Sequence, residues 1–232
     1  MTLNEFAAQY YGGLGAKVYA DPIRLDPKET ALVLIDVQDC LTREYFEYAL
    51  PYMGIDVHSI KDVLDELHLY VSDVITNIEK ILNACREKGI RPIHVKIESL
   101  LPDAADTGRL HKSAGMLTPP GAKGSLFIPQ TAPIEGEIVL TKTCSGIHVG
   151  TQVDRILRNL GVVNVLVVGF YTDQCVSTSV RDLSDLGYAT EVIEDAIGAL
   201  SKERHDKAMQ GIQRIYAHSE TTAQLLERLN AL

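Results

Sequence analysis

Short apolar runs recur along the chain, and the stretches between them carry helical spacing or turn-forming residues. "TALVLIDVQ" (30–38) is continuously apolar rather than alternating, as expected of a strand covered on both faces. "IRPIHVKI" (90–97), "EIVLTK" (137–142), "VVNVLVVGF" (162–170) and "YATEVIED" (188–195) read the same way. Residues 56–88 place Val71, Ile75, Ile78 and Leu82 on one helical face, with Gly89 as the stop. Two further helices are predicted, at 150–161 and from about Gln174 to Leu186. Beyond them, "SKERHDKAMQGIQRIYAHSETTAQLLERL" predicts a helix, a short strand near Arg214 to Ala217 and a final helix capped near Ser219. Residues 99–136, rich in Pro, Gly, Asp and Ser, predict loops with one short helix, and 1–29 reads as a polar, Gly-containing leader or extension.

Strands alternating with helices form right-handed βαβ units. The predicted fold is therefore a three-layer α/β/α sandwich around a central, mostly parallel six-stranded sheet, in a single domain spanning 1–232. Ligands of such sheets sit beyond the carboxyl ends of the strands, which directs attention to the residues just past each apolar run.

Composition narrows the partners. A chain of 232 residues, 46% hydrophobic and 23% charged, is of the size and balance for one core. Its net charge of −9 is spread along the chain without a basic stripe, so nucleic acid is not an expected partner. No apolar run approaches the roughly 20 residues that span a bilayer, and the first residues lack the basic start and apolar core of a secretory signal. A cytoplasmic location with no membrane partner is the expectation. Cys40, Cys85, Cys144 and Cys175 contain no CxxC pair and are expected as free thiols.

Three strand ends carry complementary chemistry: Asp36 after "ALVLI", Lys142 after "EIVLT" and Cys175 shortly after "VLVVG". An ammonium stabilises a thiolate, a helix N-terminus lowers a thiol pKa, and a carboxylate beside the sulfur can take its proton and return it to a leaving amine. Each residue also has an ordinary use: a turn for the Asp, a solvated face for the Lys, core packing for the Cys. Spacing alone does not bring the three together.

"LIDVQ", "LTKTCSGIHVGT" and "VVGFYTDQCVSTSVRDLSDLGYATEVIEDA" resemble the signature blocks of the isochorismatase-like cysteine hydrolases, which include nicotinamidases and N-carbamoylsarcosine, ureidoacrylate and biuret amidohydrolases. The resemblance implies that Asp36 transfers protons, Lys142 is its cationic partner and Cys175 is the nucleophile. It further implies a cis peptide at Phe170–Tyr171 and an oxyanion hole formed by the Tyr171 and Cys175 amides. "HVKIESLLPDAADTGRLHK" lacks the Asp-x-His pairing with which nicotinamidases bind metal, so neither a metal nor another cofactor is expected. Ile147 and His148 stand where the family's aromatic is usual.

Tyr45 and Phe46 are candidate pocket walls, equally readable as a surface helix with an aromatic anchor. Arg109, His111 and Lys112 are candidates for binding a substrate carboxylate, with a solvated loop as the alternative. Gln213 matches loosely a Gln that contacts ureido substrates in the biuret branch. Cys144 is near enough to Lys142 to line the pocket, while Cys40 and Cys85 read as structural. The resemblance implies a metal-independent amidohydrolase acting on a small amide, ureido or carbamoyl molecule through a thioester, in a homo-oligomer (dimer or tetramer). The alternatives are a vinyl-ether hydrolase of the isochorismatase type and a ligand-binding member of the fold without turnover.

Overall fold

A computed structural model describes residues 1–19 and 21–232, those at 14–18 by backbone alone. Six strands, β1 (Thr30–Ile35), β2 (Arg91–Ile97), β3 (Ile138–Lys142), β4 (Asn164–Phe170), β5 (Ala189–Gly198) and β6 (His218–Glu220), form one sheet in the order β3-β2-β1-β4-β5-β6. Every pairing is parallel. The helices are α1 (Leu3–Val18), α2 (Arg43–Ala49), α3 (Lys61–Lys88), α4 (Arg109–Ser113), α5 (Ile147–Gly150), α6 (Val153–Asn159), α7 (Ser177–Asp185), α8 (Lys202–Gln210) and α9 (Thr222–Asn230).

The alternation of side chains along β1 divides the core. Ala31, Val33 and Ile35 pack with Ile147, Leu157 and Val180, from α5, α6 and α7. Leu32 and Leu34 face the other way, onto Ile78, Leu82 and Leu225 of α3 and α9. Both faces of the sheet are thereby covered, which is why β1 and β4 read as continuous apolar runs and are buried throughout. Among the described residues, no helix is long and apolar enough to cross a membrane.

Several local expectations change. The 1–29 segment is not only a leader: it carries α1, and the chain beyond docks against β5, next to the far edge of the sheet, where the Ile23 amide donates to Glu191 Oε2 at 2.8 Å. Arg214–Ala217 is a turn, since Arg214 is left-handed at φ 62° and its amide donates to the Ala217 carbonyl. The strand begins at His218 instead. Thr221 caps the last helix through a capping box with Gln224, and Ser219 lies within β6. The predicted 150–161 helix forms as α6, Val153–Asn159, and the separate short α5 ends at Gly150 before it.

A close approach between β4 and β1 lies beside the strand ends. Gly169 has φ 119°, and a Cβ there would stand 2.0 Å from the Ile35 carbonyl oxygen. Only glycine lets β4 lie this near to β1 while turning toward residue 175. Gly169→Ala is expected to destabilise the protein by about 3 kcal/mol or more. A lower urea midpoint would register the loss, whereas an unchanged midpoint would show that β1 can retreat from β4.

Candidate active site

Just past β1, Asp36 adopts a left-handed backbone at φ 53°, a conformation that Asp tolerates better than most residues. Its amide donates to the Val95 carbonyl at 2.8 Å, which anchors the turn to β2. Lys142 is the last residue of β3, two strands away, and its side chain must reach past the end of β2 to meet Asp36. It does so almost fully buried: Nζ donates to Asp36 Oδ2 at 2.8 Å, to the Cys144 carbonyl at 3.0 Å and to Cys175 Sγ at 3.4 Å. Gly150 makes room for this arrangement, since a Cβ there would stand 3.0 Å from both Lys142 Cβ and Cys144 Sγ.

Cys175 follows β4 in a π turn, Thr172–Val176, that precedes α7, and the peptide Phe170–Tyr171 is cis. In this turn the Tyr171 carbonyl accepts the amides of Gln174 and Val176. Ser179 Oγ donates to the Cys175 carbonyl at 2.6 Å and accepts from the Ile147 amide, while Thr172 Oγ1 lies 3.0 Å from His205 Nδ1. Three strand ends far apart in sequence thus converge on one buried cluster.

The electrostatics differ from those expected of a thiol at a helix start. Burial, together with the Asp36 carboxylate, pushes Cys175 up to about 12, against the lowering influence of Lys142. The sulfur rests as a neutral thiol. Burial also raises Asp36 above the usual carboxylate range, again against Lys142. For Lys142 burial acts downward, but Asp36 and Cys175 outweigh it and hold the ammonium above the ordinary lysine value. Asp36 Oδ2 is engaged by Lys142, whereas Oδ1 is buried with no hydrogen-bond partner.

A cavity of about 30 Å³ opens over this cluster, walled by Asp36, Tyr45, His111, Tyr171, Gln174 and Cys175 and closed by Gln38, Cys40, Met116, Thr118 and Gly124. The Tyr45 ring is seated on Gly124, where a Cβ would stand 2.8 Å from Cε2. Of the pocket candidates, Tyr45 and His111 line the cavity; Phe46, one position farther round α2, does not. Arg109 is exposed on α4, and Lys112 Nζ donates to the Ala105 carbonyl, so neither reaches the cavity. Cys144 contributes its carbonyl to Lys142 rather than its thiol to the wall. Gln213 donates to Ser219 Oγ at 2.6 Å and borders a different cavity, of about 490 Å³, between α3, β5 and α8. That larger cavity holds none of Asp36, Lys142 and Cys175.

Sequence reasoning missed Gln38, Cys40, Met116, Thr118 and Gln174. Gln38 is central: its amide nitrogen donates to the carbonyls of Ile97 and Gly124, and its oxygen accepts the Ile97 amide, tying the ends of β1 and β2 to the cavity wall. Its place two residues after Asp36, inside "LIDVQ", was the available signal. Among the described residues, no three His, Cys, Asp or Glu side chains group closely enough to hold a metal ion.

The parallel sheet and the carboxylate, ammonium and thiol gathered at its edge are those of a hydrolase. The chain belongs to the isochorismatase family, whose domain matches residues 30–224. It is 28% identical over 194 residues to a ureidoacrylate amidohydrolase of Agrobacterium fabrum, covering 76% of this chain and 78% of that protein. It is also 28% identical over 225 residues to one from Acinetobacter baylyi, covering 88% and 86%. Among solved structures, a cysteine hydrolase from Pseudomonas syringae pv. phaseolicola superposes with a TM-score of 0.74 at 20% identity, over 91% of this chain and 98% of that one. The N-carbamoylsarcosine amidase of Thermoplasma acidophilum gives 0.61 at 23%, over 84% and 96%.

The raised thiol pKa has a direct readout. Alkylation of Cys175 by iodoacetamide, followed on its own peptide by mass spectrometry, is expected to keep accelerating with pH through 9 and 10. A plateau at or below pH 9 would show an ordinary or activated thiol instead.

Proposed function

We propose that this chain is a metal-independent cysteine amidohydrolase that cleaves the C–N bond of a small amide, ureido or carbamoyl compound through a thioester. The observation that carries the reading is the division of labour on Asp36, which lines the same cavity as Cys175: Oδ2 is fixed by Lys142, and Oδ1 is unpartnered. The names of the ureidoacrylate amidohydrolases among its relatives support the same bond type.

Every proton has a residue to receive it. Asp36 Oδ1 takes the thiol proton as Sγ attacks the carbonyl carbon, and the tetrahedral oxyanion rests on the Tyr171 and Cys175 amides. The C–N bond breaks, and the amine or ammonia departs with the proton from Asp36. Water then gives its proton to Asp36 and attacks the thioester; collapse releases the acid, and the proton returns to sulfur. With Cys175 near 12, forming a free thiolate first at pH 7 costs on the order of 7 kcal/mol. Deprotonation is therefore coupled to attack, which is the task of a carboxylate whose own proton affinity burial has raised. Lys142 keeps its charge throughout and holds Asp36 oriented.

Ammonia release from a panel of small primary amides and ureido compounds tests the reading. Cys175→Ala is expected to lower kcat by at least about a thousandfold while remaining folded, and Asp36→Asn, which leaves buried Lys142 facing a neutral amide, to lower it as far with a reduced urea midpoint. Cys175→Ser turning over like the parent enzyme would overturn the mechanism. Intact mass under substrate saturation is expected to show a covalent acyl adduct in a variant slowed at the hydrolysis step.

A further inference from the structure

Buried polar atoms without partners are rare in folded proteins, because each forfeits its hydrogen bonds to water. Three of the residues lining the cavity over Cys175 carry such an atom: Asp36 (Oδ1), His111 (Nδ1) and Thr118 (Oγ1). The first is accounted for by proton transfer. The other two have no part in that chemistry. His111 is 3% and Thr118 6% exposed, so solvent does not satisfy them. They come from opposite ends of one excursion: His111 from α4, whose start is held by the Gly108 amide donating to the Thr143 carbonyl, and Thr118 from the segment whose carbonyl takes the Ser99 amide. Both are thus fixed in place by backbone hydrogen bonds.

Charge is the second observation. Among the described residues lining the cavity there is no arginine or lysine, and the ammonium behind it, Lys142, already serves Asp36, Cys144 and Cys175. Burial and Lys142 hold His111 below the ordinary histidine value, so its ring is neutral at neutral pH. Desolvating a carboxylate here, beside Asp36 and with no cation free to pair with it, is unfavourable. An uncharged amide or ureido group is suited to the two atoms: its N–H donates to one and its carbonyl accepts from the other.

We propose that His111 and Thr118 are a recognition pair for the uncharged amide or ureido end of the substrate remote from the cleaved bond, and that the enzyme selects neutral substrates over carboxylate-bearing ones. The proposal rests on the amidohydrolase reading for the identity of the reaction, and it distinguishes this chain from relatives named for ureidoacrylate, an anion at neutral pH.

Matched neutral and anionic pairs test it: malonamide against malonamate, and N-carbamoylglycinamide against N-carbamoylglycine. Binding is measured by calorimetry on folded Cys175→Ala and turnover on the intact enzyme. The neutral member of a pair is expected to bind and react at least tenfold better than its anion. Thr118→Val and His111→Leu are each expected to weaken neutral binding, raising KM about fivefold or more with kcat within about twofold; His111→Asn, which keeps a polar atom near Nδ1, recovers most of the loss. Neutral binding that depends on this pair without ammonia release would uphold the recognition and overturn the hydrolase reading. Stronger binding of the anions, binding of neither member, or neutral binding indifferent to both substitutions would overturn the recognition.

Discussion

One buried ion pair organises the molecule. Lys142 and Asp36 are almost entirely removed from water, and each is tolerable there only because the other is 2.8 Å away. The pair spans the ends of β3 and β1, so the strand between them must end level with both, and the turn after β1 must point its carboxylate sideways. The left-handed Asp36 and the braces from Gln38 to the end of β2 meet that requirement. On the other side, Gly169 lets β4 close up against β1 and bring the sulfur within 3.4 Å of the same ammonium.

The price of this geometry is a sulfur that is hard to ionise. Taking the cluster out of water favours a cation, an anion and a neutral thiol over any arrangement with two anions, because a second negative charge has only one ammonium to share. The cluster thus rests near neutrality as a whole. Burial therefore raises the proton affinity of the carboxylate and leaves no standing thiolate.

Much of the sheet was legible because buried parallel strands are written as unbroken apolar runs, and the chemical groups were legible because such folds place them at the ends of those runs. Features set by tertiary packing were not. The π turn looks in sequence like the first turn of a helix, and β6 is displaced from its predicted place by the left-handed Arg214. "RLHK" displays a basic cluster, yet the short α4 turns its histidine inward and its charged residues outward, so the residue with the weakest charge is the one that reaches the cavity. Thr118 and Met116 carry no pattern at all; only the path of the 99–128 loop brings them over the sulfur. The direction of the thiol shift was misread for a related reason: the helix start is local and visible, whereas burial is a property of the whole fold.

The seat of Tyr45 on Gly124 shapes one wall of the site. The carboxylate, ammonium and thiol are held by the sheet, whereas part of the wall beside them is an aromatic ring resting on a backbone that has no side chain. At about 30 Å³ the cavity is small, and the ring that bounds it rests where anything larger than hydrogen would meet it. A methyl group at 124 would push that ring aside, so this wall of the cavity is set at a loop position, apart from the strand ends that hold Asp36, Lys142 and Cys175.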